Sequence, residues 1–165
     1  MAWWIRFTAG CTLALSGLVT PGSGAWAQNV QIASLTDVSF GTIASVAANR
    51  TASQTLCVYS GVTNYTIRAT GSGSSGAFTI GIVGNSAAQL PYTVQWASTG
   101  SQTAGTQLIA GQGSRFTPNP LNLLCSLGSL LASSASLIVT LPATNLSAAL
   151  AGNYTGTLSL MVSPN

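Results

Sequence analysis

The side chains able to do chemistry in this 165-residue sequence are few and far apart. There is one acid, Asp37, set against four arginines, Arg6, Arg50, Arg68 and Arg115, and there is no Lys, Glu or His. General acid–base catalysis draws on a histidine, a carboxylate pair or a tuned lysine, and a serine or cysteine nucleophile needs a base beside it. Asp37 with Tyr59, Tyr65, Tyr92 and Tyr154 supplies neither arrangement. Metal sites need clustered His, Cys or acidic ligands, and one Asp with a few dispersed cysteines does not form such a cluster. The glycine-rich run from Gly71 to Gly76 has no following Lys and no helix start, so it is not a phosphate loop. The expectation is therefore a protein that is not an enzyme and takes no metal or cofactor. Arg50, Arg68 and Arg115 are too few for nucleic acid, which calls for several clustered phosphate contacts. Nothing in their spacing joins them, and they read as dispersed surface charge that aids solubility.

The cysteines point to the compartment. Residues 1–27 carry an early arginine, Arg6, an apolar stretch from Cys11 to Val19, and Pro21, Gly22 and Gly24 before Ala25-Trp26-Ala27. That order is a signal peptide with a small-residue cleavage site, so the mature domain is expected to run from Gln28 to Asn165. Thr8-Ala9-Gly10-Cys11 faintly resembles a lipoprotein box, but the apolar segment follows the cysteine instead of preceding it. After cleavage Cys57 and Cys125 remain. In an exported chain such a pair reads as a disulfide, and closing a loop from 57 to 125 stabilises by about 4 kcal/mol on chain-entropy grounds. Two buried free thiols are the alternative. The uncharged stretch Leu121 to Leu141 is long enough to span a membrane. Its five serines, Asn122 and Gly128, and its bracketing by Pro120 and Pro142, read instead as a loop around Cys125 followed by a strand. The protein is therefore not expected to be an integral membrane protein. Four N-x-S/T sequons, at Asn49, Asn64, Asn145 and Asn153, are the chance yield of a chain rich in Asn, Ser and Thr.

The elements that would position these groups are strands. From Tyr154, the residues Tyr154, Gly156, Leu158, Leu160 and Val162 alternate with Thr155, Thr157, Ser159 and Met161. One apolar face and one mostly hydroxylated face make a half-buried strand. Val30 to Ile43, Gln54 to Tyr59, Asn64 to Thr70, Ala77 to Val83, Leu90 to Trp96 and Ser136 to Leu141 carry strand signals, with short pieces at Gln107 to Ile109 and Ser114 to Phe116. Pro91 must sit at the start of its strand or on an edge. Pro142 to Ala151 is a loop or short helix. About seven strands at short spacing without intervening helices predict an all-β antiparallel sandwich, with Trp96 in its core.

Cys57-Val58-Tyr59-Ser60, Tyr65, Ala69-Thr70-Gly71-Ser72-Gly73, Gly76-Ala77-Phe78, Leu90 to Trp96, Cys125 and the closing Ala151 to Leu158 resemble the spore coat protein U domain family. Phe40-Gly41 matches as well, and the resemblance covers nearly all of residues 28–165. It implies a pilin-like subunit of archaic chaperone–usher fimbriae, exported to the periplasm and then to the cell surface, serving adhesion and biofilm formation. Such subunits have an immunoglobulin-like fold that lacks its last strand. A periplasmic chaperone fills the gap first, and the N-terminal extension of another subunit replaces it at an outer-membrane usher. Leu158, Leu160 and Val162 would then border an open acceptor groove that β-strand addition closes. Two other readings stand beside this one: a self-contained secreted sandwich binding a ligand such as a carbohydrate on a Tyr and Trp platform, and a coat or matrix protein.

The resemblance also asks for a donor segment. Between Gln28 and Phe40 the better apolar face is Val30, Ile32 and Val38, interrupted by Ser34 and Thr36, with Leu35 pointing the other way. A segment this short cannot serve fully both as a donor and as the first strand of its own domain. The expectation is that 28–38 is the donor, anchored by Val30, Ile32 and Val38, and that the first intrinsic strand begins near Phe40.

Overall fold

A computed structural model describes residues 30–60, 63–118 and 135–165. The expected signal peptide, Cys125 and the first part of the uncharged 121–141 stretch lie outside the described residues. Among the described residues the fold is all-β with one short α-helix and one 3-10 turn, Ser74–Gly76. A five-stranded sheet has the order β1 (Val30–Ala33), β2 (Arg50–Ser60), β9 (Ala135–Leu141), β6 (Thr93–Ala97) and β7 (Thr106–Gln107). Two further three-stranded sheets are formed by the described residues. One orders β11 (Leu158–Pro164), β3 (Tyr65–Gly71) and β8 (Gly113–Phe116); the other orders β10 (Tyr154–Thr155), β4 (Thr79–Ile82) and β5 (Asn85–Pro91). Every pairing is antiparallel. Helix α1 (Ala143–Ser147) links β9 to the C-terminal strands.

Alternation decides what is buried. Leu56 and Val58 of β2, Val94 and Trp96 of β6, and Leu137, Val139 and Leu141 of β9 face Tyr65, Ile67 and Ala69 of β3 and Leu90 of β5 in one apolar cluster. Trp96 is completely buried, and its indole N–H donates to the Tyr65 hydroxyl at 3.1 Å. This bond answers the need of a buried indole for a partner. Because Trp96 and Tyr65 are buried and Tyr92 is only 8% exposed, these aromatics cannot form the open sugar platform that the self-contained reading requires. Trp96 and Tyr65 belong to the core because each sits on the inward register of its strand, and Tyr92 because it lies where the chain passes between two strands, stacked on Phe78.

Two further expectations are corrected. Leu90 to Trp96 is not one strand. Pro91 ends β5, an edge strand whose outer side needs no donor, and β6 begins at Thr93 in a different sheet. The chain crosses between sheets at Tyr92, whose N–H donates to the Phe78 carbonyl. The C-terminal strand is likewise in two parts, since β10 pairs with β4 and β11 with β3. At the break, an added Cβ on Gly156 would lie 2.7 Å from Ile80 Cγ2 and 2.8 Å from Ser72 Oγ. Ser72 Oγ accepts from the Thr157 N–H and donates to the Thr79 carbonyl, bridging the point where the strand changes partner. Only glycine lets the chain pass that close.

The beginning of the domain also differs from expectation. The first strand is Val30–Ala33, and no residue from 34 to 49 is in a strand. The reason lies in β2. Its residues Arg50 to Leu56 pair with β9 on one side, and Cys57 to Ser60 pair with β1 on the other. Ile32 sits opposite the buried Val58, and Val30 and Ile32 pack against the core. Residues 30–33 of the segment expected to be the donor thus pair with β2 of their own chain.

Candidate functional site

The C-terminal strand is where the sandwich stays open. β11 is bonded to β3 along its whole length, from Leu158 opposite Gly71 to Pro164 opposite Tyr65. Its other edge has no strand partner among the described residues, and neither has the outer edge of β10. Backbone N–H and C=O groups on that side, from Tyr154 to Leu160, face an added strand, while β1 also lies close to β11.

Facing this edge across a gap is the segment that follows β1. Ser34 adopts a left-handed conformation with φ 65°, which turns the chain out of the β2 ladder. The side chain of Gln54 then replaces the ladder. Its Oε1 accepts from both the Thr36 N–H and the Thr36 hydroxyl at 2.9 Å, and its Nε2 donates to the Thr36 carbonyl at 3.1 Å. The clasp holds residues 35–40 as an irregular wall at a side chain's distance from β2.

Between the two walls lies a groove of about 570 Å³. Tyr154 to Leu158 and Leu160 form one side, and Leu35 to Val38 with Phe40 form the other. The floor is apolar: Leu137, Val139 and Leu141 of β9, with Ile80 and Tyr92. All three β9 residues are buried, so the floor is the sandwich core seen from its open side. Asp37 is the single charged side chain in the lining. Burial pushes the Tyr92 phenol above its ordinary value, so it is a neutral hydrogen-bonding group at physiological pH.

Of the residues expected to border an acceptor groove, Leu158 and Leu160 lie in its wall, whereas Val162 packs against the core outside the lining. Of the expected donor anchors, Val30 and Ile32 are in β1, and Val38 forms part of the opposite wall. Sequence reasoning missed that wall, as it missed Gln54; a polar side chain that clasps a backbone eighteen residues away has no local pattern. Cys57 is buried and disulfide-bonded, and its expected partner, Cys125, lies outside the described residues. The arrangement can take an extended segment of alternating apolar residues, with edge hydrogen bonds for affinity and the floor for side chains.

No family model matches the chain, and no curated protein matches it. Among solved structures the chain is similar to one from a chaperone–tip adhesin complex described as vital for synergistic activation of CFA/I fimbriae biogenesis. The two are 19% identical, with a TM-score of 0.57 over 83% of this chain. The chain spans 42% of the length of that one. At this identity the likeness is one of fold.

Proposed function

We propose that the chain is a structural subunit of a surface fimbria, of the spore coat protein U type, that is completed by a strand from another protein. The observation carrying this reading is the groove between residues 35–40 and 154–160, with core residues of β9 as its floor. Residues 154–160, fully extended, run about 20 Å, long enough for an added strand to place three side chains on the floor. In this reading a periplasmic chaperone supplies that strand after export, and a second subunit replaces it at an outer-membrane usher. Cys57 pairs with Cys125, and the protein has no catalytic role. The fold likeness to a fimbrial chaperone–adhesin complex supports the reading at the level of architecture.

Because Val30 to Val38 builds β1 and one groove wall, donation from this segment competes with its place in its own domain. The subunit therefore accepts a strand more readily than it gives one, as a subunit at the end of a polymer would.

The test is co-expression of the full chain with an immunoglobulin-like chaperone and a usher encoded beside it. Leu158→Asp and Leu160→Asp place a charge in the groove wall and should abolish co-purification with the chaperone, while Met161→Asp on the opposite face should not. Unchanged co-purification of both groove variants would sink the proposal.

A further inference from the structure

The arginines that spacing alone leaves unconnected are brought together by the register of one sheet. β3 pairs with β8 so that Thr66 lies opposite Arg115 and Arg68 lies opposite Gly113. β11 pairs with β3 so that Ser163 lies opposite Thr66, Met161 opposite Arg68, and Ser159 opposite Thr70. Directly paired residues point to the same side, and the other side of this sheet carries the buried Tyr65, Ile67 and Ala69. The outer face is therefore two adjacent rows, Ser163–Thr66–Arg115 and Met161–Arg68–Gly113, continued by Ser159–Thr70. Arg68 and Arg115 are diagonal neighbours, with backbones about 7–8 Å apart.

Both arginines are exposed. Gly113 presents no side chain beside Arg68, and even a Cβ there would meet Thr66 Cγ2 at 2.8 Å. The only acidic side chain of the whole sequence, Asp37, lies in the groove wall, so neither arginine has a carboxylate side chain to neutralise it on this face. Arg115 is held instead by a neutral partner: with the Asn64 amide turned to satisfy its neighbours, its oxygen accepts from Arg115 Nη2 at 2.7 Å. Met161, 66% exposed, adds an apolar patch between the hydroxyls.

We infer that this outer face of the β11–β3–β8 sheet binds an anionic polysaccharide. The planar fork of arginine matches carboxylate and sulfate groups with paired hydrogen bonds. The hydroxyls of Thr66, Thr70, Ser159 and Ser163 both donate and accept, as sugar hydroxyls require. The exposed Met161 side chain suits the C–H face of a sugar ring. A flat face with two cations on adjacent rows fits an extended polymer carrying repeated negative charges better than a single small anion. Nucleic acid is disfavoured, since two arginines and no exposed aromatic on these rows offer neither the phosphate contacts nor the stacking it uses. The face lies opposite the core from the floor of the groove, so binding here does not depend on whether the groove is filled.

The experiment measures binding of the full chain, at low and at moderate salt, to immobilised polygalacturonate for carboxylate, dextran sulfate for sulfate, and neutral dextran. Binding to either charged polymer and not to dextran is expected, with the stronger of the two identifying the anion. Arg68→Gln with Arg115→Gln should weaken it by about tenfold or more, since charge-assisted bonds are lost. Arg50→Gln, which removes one charge elsewhere, should leave it within about twofold, the scale of an exposed charge acting at a distance. Three results overturn the inference: no binding to either charged polymer at low salt, equal loss from Arg50→Gln and the double variant, or tighter binding to single-stranded DNA through the same arginines. All the substitutions are at exposed positions, and an unchanged melting curve confirms that each variant is folded.

Discussion

Trp96 and Tyr65 form the one buried polar pair of the aromatic core among the described residues, and they illustrate how a single bond decides a residue's fate. The indole N–H has no water to turn to, so the Tyr65 hydroxyl satisfies it, with Ser98 Oγ 3.5 Å beyond. Tyr65→Phe keeps the ring contacts with Trp96 and Phe116 but orphans that donor. It should cost about 1–3 kcal/mol, read as a lower urea midpoint at unchanged slope. Tyr92 gives a pH prediction. Burial raises its phenol above the ordinary 10.0. Below that pH the group is neutral in both the folded and the unfolded chain, and its contribution is fully present. As pH rises past it, the unfolded chain ionises first, so stability falls until the folded pKa is passed. A denaturant series across the alkaline range should show this decline, and Tyr92→Phe should reduce it. Because Tyr92 lies on the groove floor, an inserted strand should delay its phenolate absorbance further.

At the scale of elements, the decisive fact is that β1 pairs with the end of β2, Cys57 to Ser60, on the side away from β9. Ile32 lies opposite Val58 inside the domain. Ile32 is partly buried against the core, so Ile32→Asp should destabilise the isolated chain by about 1–3 kcal/mol, the scale of placing an uncompensated polar group there. A free donor arm would leave the melting of the monomer unaffected by the same change, so thermal unfolding separates the two roles. The disulfide at Cys57 belongs to the same region, at the point where β2 passes from one partner strand to the other. Cys57→Ser and Cys125→Ser should lower the yield of exported protein equally, because each removes the same bond. Unequal losses, or two free thiols in unreduced protein, would reject that pairing.

For the whole molecule, the open side is the liability and the use. Core residues of β9 form the floor of a groove, and an unpaired edge runs beside them, a combination that favours association with any available strand. The isolated chain should be recovered poorly and melt low. Added strand-forming partner should raise its melting temperature with concentration, as mass action requires of anything that binds the folded state. Concentration-independent, cooperative unfolding at high temperature would indicate a sandwich that needs no partner. How much of this was legible beforehand follows from what is local. Alternation at Tyr154 to Val162, at Ser136 to Leu141 and at Asn64 to Thr70 determined the strands and the all-β class, because a period of two is written residue by residue. The near absence of ionisable groups left the sequence without the usual means of acid–base or metal chemistry for the same reason. Partner choice is not local. That β1 lies beside β2 rather than free, that Gln54 clasps Thr36 to make a groove wall, and that Arg68 and Arg115 share one face were decided only by tertiary structure. Each depends on the register between segments far apart in the chain, and a one-residue slip would turn every one of those side chains to the opposite face.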